Sequence, residues 1–467
     1  MQSKEEKLIK NTIIYSISNF GSKLLTFLIV PLYTYYLTTA EFGTYDTIIS
    51  IQNLLAPVCA LAIQEGLLRW LLASNEKHGD ILGTGLGLYG ICIAITDIVM
   101  LSVFHFIEWE YSNLFMLMLT TYTLETVLKF IVRGERKNNV FAVAGVLYTF
   151  VMLMFNVLFV VQFRLGVRGM LWSLVIANIT CIIYMLFSMR KCVKIAELSF
   201  NKKLSHAMII YSVMLVPNNI SWWIMNASDR VMLTALCGAA TTGIYSLACK
   251  FPSIVTILHT LFYQAWQEQA ILEYESDARD SYYTKVFNNY MKLSCCAVLV
   301  LIPLSKLIII LFMNESYLSA YKYLGVLYLG SLFSSFSGFY GTGYISAKDT
   351  KNAMMTTIVG ASLNILINVL FIKQFGIWAA CFSTLIGYVA VWLIRIRQTK
   401  KYFKIDLDWK TFGFTMVLNV AFSVAICKLN FYGTVILFLA AAIIAVIVNR
   451  GIFVSIIKSI HNRIQRN

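Results

Sequence analysis

The sequence predicts an all-α polytopic membrane protein, with about fourteen transmembrane helices. It is 59% hydrophobic and only 13% charged, which is too apolar for a soluble globular chain. Many of its apolar runs reach the roughly 20 residues that a helix needs to cross a bilayer. An eight-residue stretch, NVLFVVQF at Asn156–Phe163, returns as NVLFIKQF at Asn368–Phe375, and a glycine follows each copy closely. This repeat indicates two related halves.

The apolar runs define the predicted helices in order along the chain. An even number of spans in each half makes the halves parallel, so we expect two pseudo-symmetric six-helix bundles around a central cavity. The N-terminal lobe covers residues 1–200 and the C-terminal lobe 201–400, while 401–467 holds a further helix pair and a basic tail. The predicted spans are 11–36, 43–66, 81–106, 112–132, 140–162, 168–189, 207–235, 241–266, 286–313, 321–346, 352–372, 376–397, 409–427 and 431–449.

The net charge of +15 has a topological explanation. Most of the Lys and Arg residues fall in alternate connections and at the two ends, and the opposite connections hold few. This positive-inside pattern places both termini in the cytoplasm and argues against a nucleic-acid partner. Because the first apolar run lacks a small-residue cleavage site, we expect a retained helix and not a signal peptide.

Motifs of soluble enzymes are absent or misplaced. The pattern G-x-G-x-x-G at residues 85–90 lies inside an apolar helix without a preceding strand, so it indicates helix packing and not nucleotide binding. The five His and ten Cys residues show no metal-ligand spacing. We therefore expect no metal, no cofactor and no enzymatic activity.

The candidate functional residues are charges within the spans, each of which costs roughly 2.5 to 3.5 kcal/mol unless it faces a cavity. Lys23 and Lys250 lie near the middle of their spans, too deep to reach either surface comfortably. Asp229 and Arg230 are adjacent on one helix, so they cannot both face one spot. We interpret Lys23, Arg230 and Lys250 as cavity residues, with a structural ion pair as the main alternative for Lys23. For Asp97, an interfacial role and a functional role are equally open.

A helix bend is expected near Pro217, because proline removes a backbone hydrogen bond and frees a carbonyl. Trp222 and Trp223 lie just beyond it, deeper than an interfacial belt. The bend is interpreted either as a gating kink or as a packing irregularity.

Four segments carry a family resemblance: NTIIYS at 11–16, AEFGTY at 40–45, ASDRVML at 227–233 and TGIYS at 242–246. In this order and spacing they resemble the oligosaccharide flippases of the polysaccharide transporter family. The resemblance implies membership of the multidrug/oligosaccharidyl-lipid/polysaccharide exporter superfamily. In the related lipid II flippases, basic residues on helices one, two and eight line the cavity. Lys23 and Lys250 lie on comparable helices, whereas the second helix offers only Arg69.

The resemblance further implies a bacterial cytoplasmic-membrane protein that moves an undecaprenyl-diphosphate-linked oligosaccharide to the outer leaflet, for O-antigen, capsule or similar polysaccharides. We hypothesise that Lys23 and Lys250 hold the diphosphate, that Arg230 holds the phosphates or an acidic sugar, and that Asp97 or Asp229 couples transport to protons or sodium. Besides the bilayer, a polysaccharide polymerase is a possible partner. The alternatives are a cation-coupled multidrug exporter of the same superfamily and, less favoured, a membrane polymerase or ligase.

Overall fold

The computed structural model describes residues 27, 29–73, 76–190, 198–347 and 349–450. The chain divides into two compact units, residues 1–223 and 224–467. All regular structure in the described ranges is helical, which confirms the predicted all-α class. Most of the predicted span 11–36, including Lys23, lies outside the described residues.

The first unit contains eight complete helices within the described residues, and a ninth helix passes from this unit into the second. The helix Thr39–Cys59 begins with a capping box, in which the Thr38 hydroxyl accepts a hydrogen bond from the Glu41 amide and the Glu41 carboxylate accepts one from the Thr38 amide. The helices are α1 Val30–Tyr36, α2 Thr39–Cys59, α3 Ile63–Ala73, α4 His78–Phe106, α5 Ser112–Gly134, α6 Asn138–Asn156, α7 Gly166–Met189, α8 Lys202–Val213 and α9 Val216–Cys237.

Two helix breaks shape this unit. Between α2 and α3 the axis bends by 56°, and Leu61 and Ala62 adopt positive φ angles of 46° and 50°. The sequence did not predict this break. The second break separates α8 from α9 and falls immediately before Pro217, where a bend was predicted. Proline is tolerated there because the first turn of a helix leaves its amides unpaired.

The core of the first unit is tightly packed around small residues. Leu67, Val132 and Met208 are fully buried in one apolar cluster. A Cβ atom on Gly85 would lie 2.2 Å from Leu67 Cδ2. Gly85, the first glycine of the G-x-G-x-x-G pattern, therefore serves close helix packing, as its position inside an apolar helix predicts.

The second unit contains the rest of α9 and eight further helices within the described residues. Its first break separates the helix Ala239–Lys250 from the helix Ser253–Leu272, whose axes differ by 41° across Phe251 and Pro252. A 3₁₀ segment at Glu315–Tyr323 precedes α13. The helices are α10 Ala239–Lys250, α11 Ser253–Leu272, α12 Arg279–Phe312, α13 Leu324–Ser346, α14 Thr350–Phe375, α15 Ile377–Thr399, α16 Trp409–Lys428 and α17 Phe431–Val448.

The tail pair α16 and α17 packs on α12. Lys292 forms an ion pair of 3.2 Å with Asp408 at the start of α16, and Asn419 donates a 3.2 Å hydrogen bond to the Cys295 carbonyl. Near the C-terminal end of α12, the buried Lys306 ammonium donates hydrogen bonds to two carbonyls at the C-terminal end of α16, both at 2.6 Å. A cation is favourable there because those carbonyls carry the negative end of the helix dipole.

The helix lengths and composition fit a multi-pass membrane protein. Among the described residues, ten helices are long and apolar enough to cross a membrane, or twelve when each bent pair counts as one span. Helix α13 is long enough, but its many glycine, serine and tyrosine residues lower its hydropathy. The predicted count of fourteen and the two-fold relation between the halves stay predictions.

The repeated octapeptide adopts two conformations. Its first copy forms a π-helical turn at Val157–Gln162, whereas the second continues α14 as an α-helix to Phe375. The first copy has two extra residues before its glycine. Both glycines, Gly166 and Gly376, have φ of +54° and open the next helix. This backbone conformation is one that glycine adopts without strain.

Candidate functional site

The most distinctive polar site lies inside the second unit and centres on Asp229 of α9. This carboxylate is 1% exposed. Its Oδ2 accepts hydrogen bonds from the Tyr245 hydroxyl and the Thr384 hydroxyl, both at 2.8 Å, and its Oδ1 accepts one from the Asn368 amide. All three donors are neutral, and they come from α10, α15 and α14. The carboxylate is therefore solvated by protein dipoles in place of water.

A second layer of amides and hydroxyls extends this network. Asn364 donates to Ser383 at 3.2 Å and to Thr384 at 3.3 Å, and its own oxygen accepts from Asn368 at 3.1 Å and from Ser228 at 3.3 Å. Asn364 and Asn368 are fully buried and four residues apart, so they share one face of α14. The site thus gathers carboxylate, amide and hydroxyl oxygens from four helices, α9, α10, α14 and α15.

One buried oxygen in this network has no partner. In the described part of the chain, no donor reaches Asn368 Oδ1, although the residue is fully buried. An unpaired buried acceptor costs on the order of 1 to 3 kcal/mol. A cation beside Asp229 would remove that cost, since amide, hydroxyl and carboxylate oxygens are the ligands that hard cations prefer.

Small residues bring the helices of this site together. A Cβ atom on Gly360 would lie 2.4 Å from Val391 Cγ2, and one on Gly387 would lie 3.1 Å from the Gly360 carbonyl oxygen. Close approach of α14 and α15 therefore depends on glycine at both positions.

Arg230 follows Asp229 on α9 but has different contacts. Its guanidinium donates to the Asn226 carbonyl at 2.7 Å, and its central carbon lies 5.8 Å from the centre of the Tyr245 ring. Tyr245 therefore touches both residues, through its hydroxyl at Asp229 and through its ring at Arg230. The two adjacent charges point to separate surroundings, as their spacing on a helix requires.

The structure places the other candidate residues as follows. Lys250 is half-buried and is the last residue of α10, directly before the break at Phe251 and Pro252. Asp97 lies in the first unit on α4, partly buried, and accepts a 3.2 Å hydrogen bond from the Thr120 hydroxyl. Lys23 falls outside the described residues. The second unit therefore holds Asp229, Arg230 and Lys250, with Tyr245 between the first two.

Arg395 lies near the end of the predicted span 376–397, and the structure buries it on α15 at 5% exposure. Its guanidinium donates to the Thr356 hydroxyl at 3.1 Å, the Ser337 carbonyl at 2.8 Å and the Thr357 hydroxyl at 3.2 Å. These acceptors are neutral and belong to α13 and α14. Arg395 therefore ties three helices together.

The fold defines the class of protein. The structure of the lipid II flippase MurJ in an inward closed conformation matches 95% of this chain and 100% of its own, with a TM-score of 0.72 and 15% identity. A multidrug resistance MATE family transporter of the MOP superfamily, in an outward-facing conformation, matches 85% of this chain and 96% of its own, with a TM-score of 0.56 and 14% identity. The chain has the fold of these membrane transporters.

The family follows from the sequence comparison. The model of the family described as "Polysaccharide biosynthesis protein" matches residues 8–267, more than half of the chain. The chain belongs to this family, which confirms the family resemblance. A relative in Methanocaldococcus jannaschii, an uncharacterized membrane protein, is 22% identical over 84% of each chain.

Proposed function

We propose that this protein flips a polyprenyl-diphosphate-linked oligosaccharide, undecaprenyl-linked in a bacterial host, from the cytoplasmic to the outer leaflet by alternating access. The polysaccharide family, the fold shared with a lipid II flippase and the intramembrane cations support this proposal. A diphosphate cannot cross hydrocarbon unaided, because an isolated buried charge is prohibitively costly. A transporter must supply compensating positive charge along the path.

Arg230 and Lys250 are the residues of the second unit proposed to supply that charge. Both are half-buried and lie on consecutive helices, α9 and α10. A guanidinium offers paired donors to phosphate oxygens, and an ammonium acts as a compact point charge. Lys23 remains a third candidate on the basis of its sequence position.

The energy source proposed is a monovalent cation at Asp229. The observation that carries the proposal is the unpaired Oδ1 of Asn368, the residue whose amide nitrogen donates to this carboxylate. One carboxylate surrounded by neutral oxygens balances a single positive charge, which favours Na⁺ over a divalent ion. Tyr245 links the two functions, because its hydroxyl binds Asp229 and its ring lies beside Arg230. If cation binding at Asp229 moves the Tyr245 hydroxyl, the Tyr245 ring beside Arg230 moves too, and the surroundings of the substrate-binding guanidinium change.

The test is complementation of a strain that lacks the gene. Lipid-linked oligosaccharide intermediates should accumulate in the inner leaflet, and the wild-type gene should clear them. D229N, R230A and K250A should fail at unchanged protein level, whereas K373A, which removes an exposed lysine of the same unit, should succeed. Normal lipid intermediates in the deletion strain, together with a loss of drug resistance, would support the multidrug alternative instead.

A further inference from the structure

The first unit contains a buried acid–base pair outside the site described above. Glu125 is the fourteenth of the 23 residues of α5, which places it near the middle of the span, and it is 3% exposed. Lys129, one turn later on the same helix, places its ammonium 2.5 Å from Glu125 Oε1. We propose that Glu125 and Lys129 form a proton-exchange site. This inference rests on the proposed function and adds a second coupling ion to it.

Stability does not account for the pair. On an exposed helix surface, an ion pair between residues i and i+4 contributes only about 0.2 to 0.5 kcal/mol. Removing a carboxylate from water costs several kcal/mol. Because both residues lie on α5, their contact does not join α5 to another helix, unlike the contacts of Arg395. A buried pair that costs more than it contributes to packing calls for a functional role.

The carboxylate is poorly solvated by its surroundings. In the described residues no donor has hydrogen-bond geometry to Glu125 Oε1, even though the Lys129 ammonium is in contact distance. The other groups with an electrostatic interaction with Glu125 are weak acids, namely Tyr122 of α5, Tyr148 of α6 and Cys181 of α7. If Lys129 moves away, none of these neighbouring groups can neutralise Glu125, whereas a proton can.

Other titratable groups on the helices packed against α5 have different partners. The Arg69 guanidinium of α3 lies over the Trp70 and Tyr211 rings, and the Tyr89 hydroxyl of α4 bonds to Thr123. Asp97 of α4 bonds to Thr120, while Glu65 of α3 interacts with Arg133 at the C-terminal end of α5. Tyr45 of α2 interacts with Tyr148, which in turn interacts with the Glu125 carboxylate. Within the described ranges, Lys129 is thus the cation that faces Glu125.

Lys129 provides the route to water. It is 25% exposed and its ammonium lies 5.3 Å from the centre of the Tyr148 ring. It is also nearer than Glu125 to the basic end of α5, which is the predicted cytoplasmic side. In the exchange step a hydronium ion transfers its proton to a Glu125 oxygen: the new O–H bond forms there, and water is released. The Lys129 ammonium keeps its protons and loses its partner, which leaves it able to pair with an anionic group of the substrate.

The test is infrared difference spectroscopy of the full-length protein in lipid bilayers across a pH series. The wild type should show a carboxylic-acid carbonyl band whose intensity changes with pH, and E125Q should lack it. K129M, which removes the ammonium but keeps the carboxyl, should shift the pH at which the band appears. E110Q, which alters an exposed ion pair with Arg168, should leave the band unchanged.

The inference would be overturned if E125Q kept every pH-dependent carboxylic-acid band of the wild type. It would also be overturned if the band of K129M appeared at the same pH as that of the wild type. Since the measurement needs neither substrate nor transport, it distinguishes this inference from the proposed function. If flipping occurs but Glu125 never takes up a proton, only the exchange site is wrong. If Glu125 takes up a proton but no lipid is flipped, only the proposed function is wrong.

Discussion

The substitution Asp229→Asn separates the charge of the proposed cation site from its shape. Asparagine has nearly the same size as aspartate, and the two hydroxyl donors at the site can rotate to suit it. The fold should therefore persist. A cation about 4 Å from the carboxylate gains about 4 kcal/mol at an effective dielectric constant near 20. Losing this attraction weakens binding about 10³-fold.

The effect is measurable by Na⁺ titration calorimetry and by Na⁺-dependent stability. At a Na⁺ concentration about 100 times its Kd, binding stabilises the wild type by about 2.7 kcal/mol. A 10³-fold weaker site at the same concentration adds almost nothing. D97N removes the carboxylate on α4 in the other unit and should retain the wild-type response. Equal Na⁺ stabilisation of D229N and the wild type would refute the assignment of Asp229 as a cation ligand.

Three further predictions concern packing, capping and pH. G360V should destabilise the protein by about 1 to 3 kcal/mol in chemical unfolding, because the new Cβ meets Val391. G413A meets no atom within 4 Å and replaces a helical glycine, so it should not destabilise the protein. K306M leaves two carbonyls without their donor and should cost about 2 to 3 kcal/mol; an unchanged unfolding midpoint would contradict this cap. At the start of α16, hydrogen bonds from the Thr411 hydroxyl and amide lower the pKa of Asp408 below its usual 3.8. The ionised cap is thus stabilising above about pH 4 and is lost on further acidification, so the stability advantage of the wild type over D408A should shrink in acid.

Hydropathy located most helices of the described ranges because the bilayer sets the length of an apolar run. The spans predicted at 112–132 and 431–449 correspond to Ser112–Gly134 and Phe431–Val448. The break between α2 and α3 was missed, since the residues at the bend are Leu61 and Ala62, which look like any other apolar residues. Pro217 lies in the first turn of α9, directly after a short interruption at Met214 and Leu215, and Lys202–Cys237 still qualifies as one span, so the predicted bend stays a prediction.

The candidate site was predicted only in part. Asp229 stood out as a charge in an apolar helix, but its donors Asn368 and Thr384 lie 139 and 155 residues away. Single amides and hydroxyls in apolar helices do not show which partner they will meet. The spacing of Glu125 and Lys129 was a readable signal, since residues four apart share a helix face.

The contact between Lys306 and the end of α16 has a consequence for biogenesis. The ammonium and its first acceptor, the Ile426 carbonyl, are separated by 120 residues, so α12 leaves the ribosome long before its partner exists. During that interval a charged side chain within the apolar part of α12 must reach towards a membrane surface or be shielded by the insertion machinery. In a chain truncated before α16, Lys306 would never meet these carbonyl acceptors. We therefore expect the pair α16 and α17 to be needed for stable integration of α12, a helix synthesised well before it.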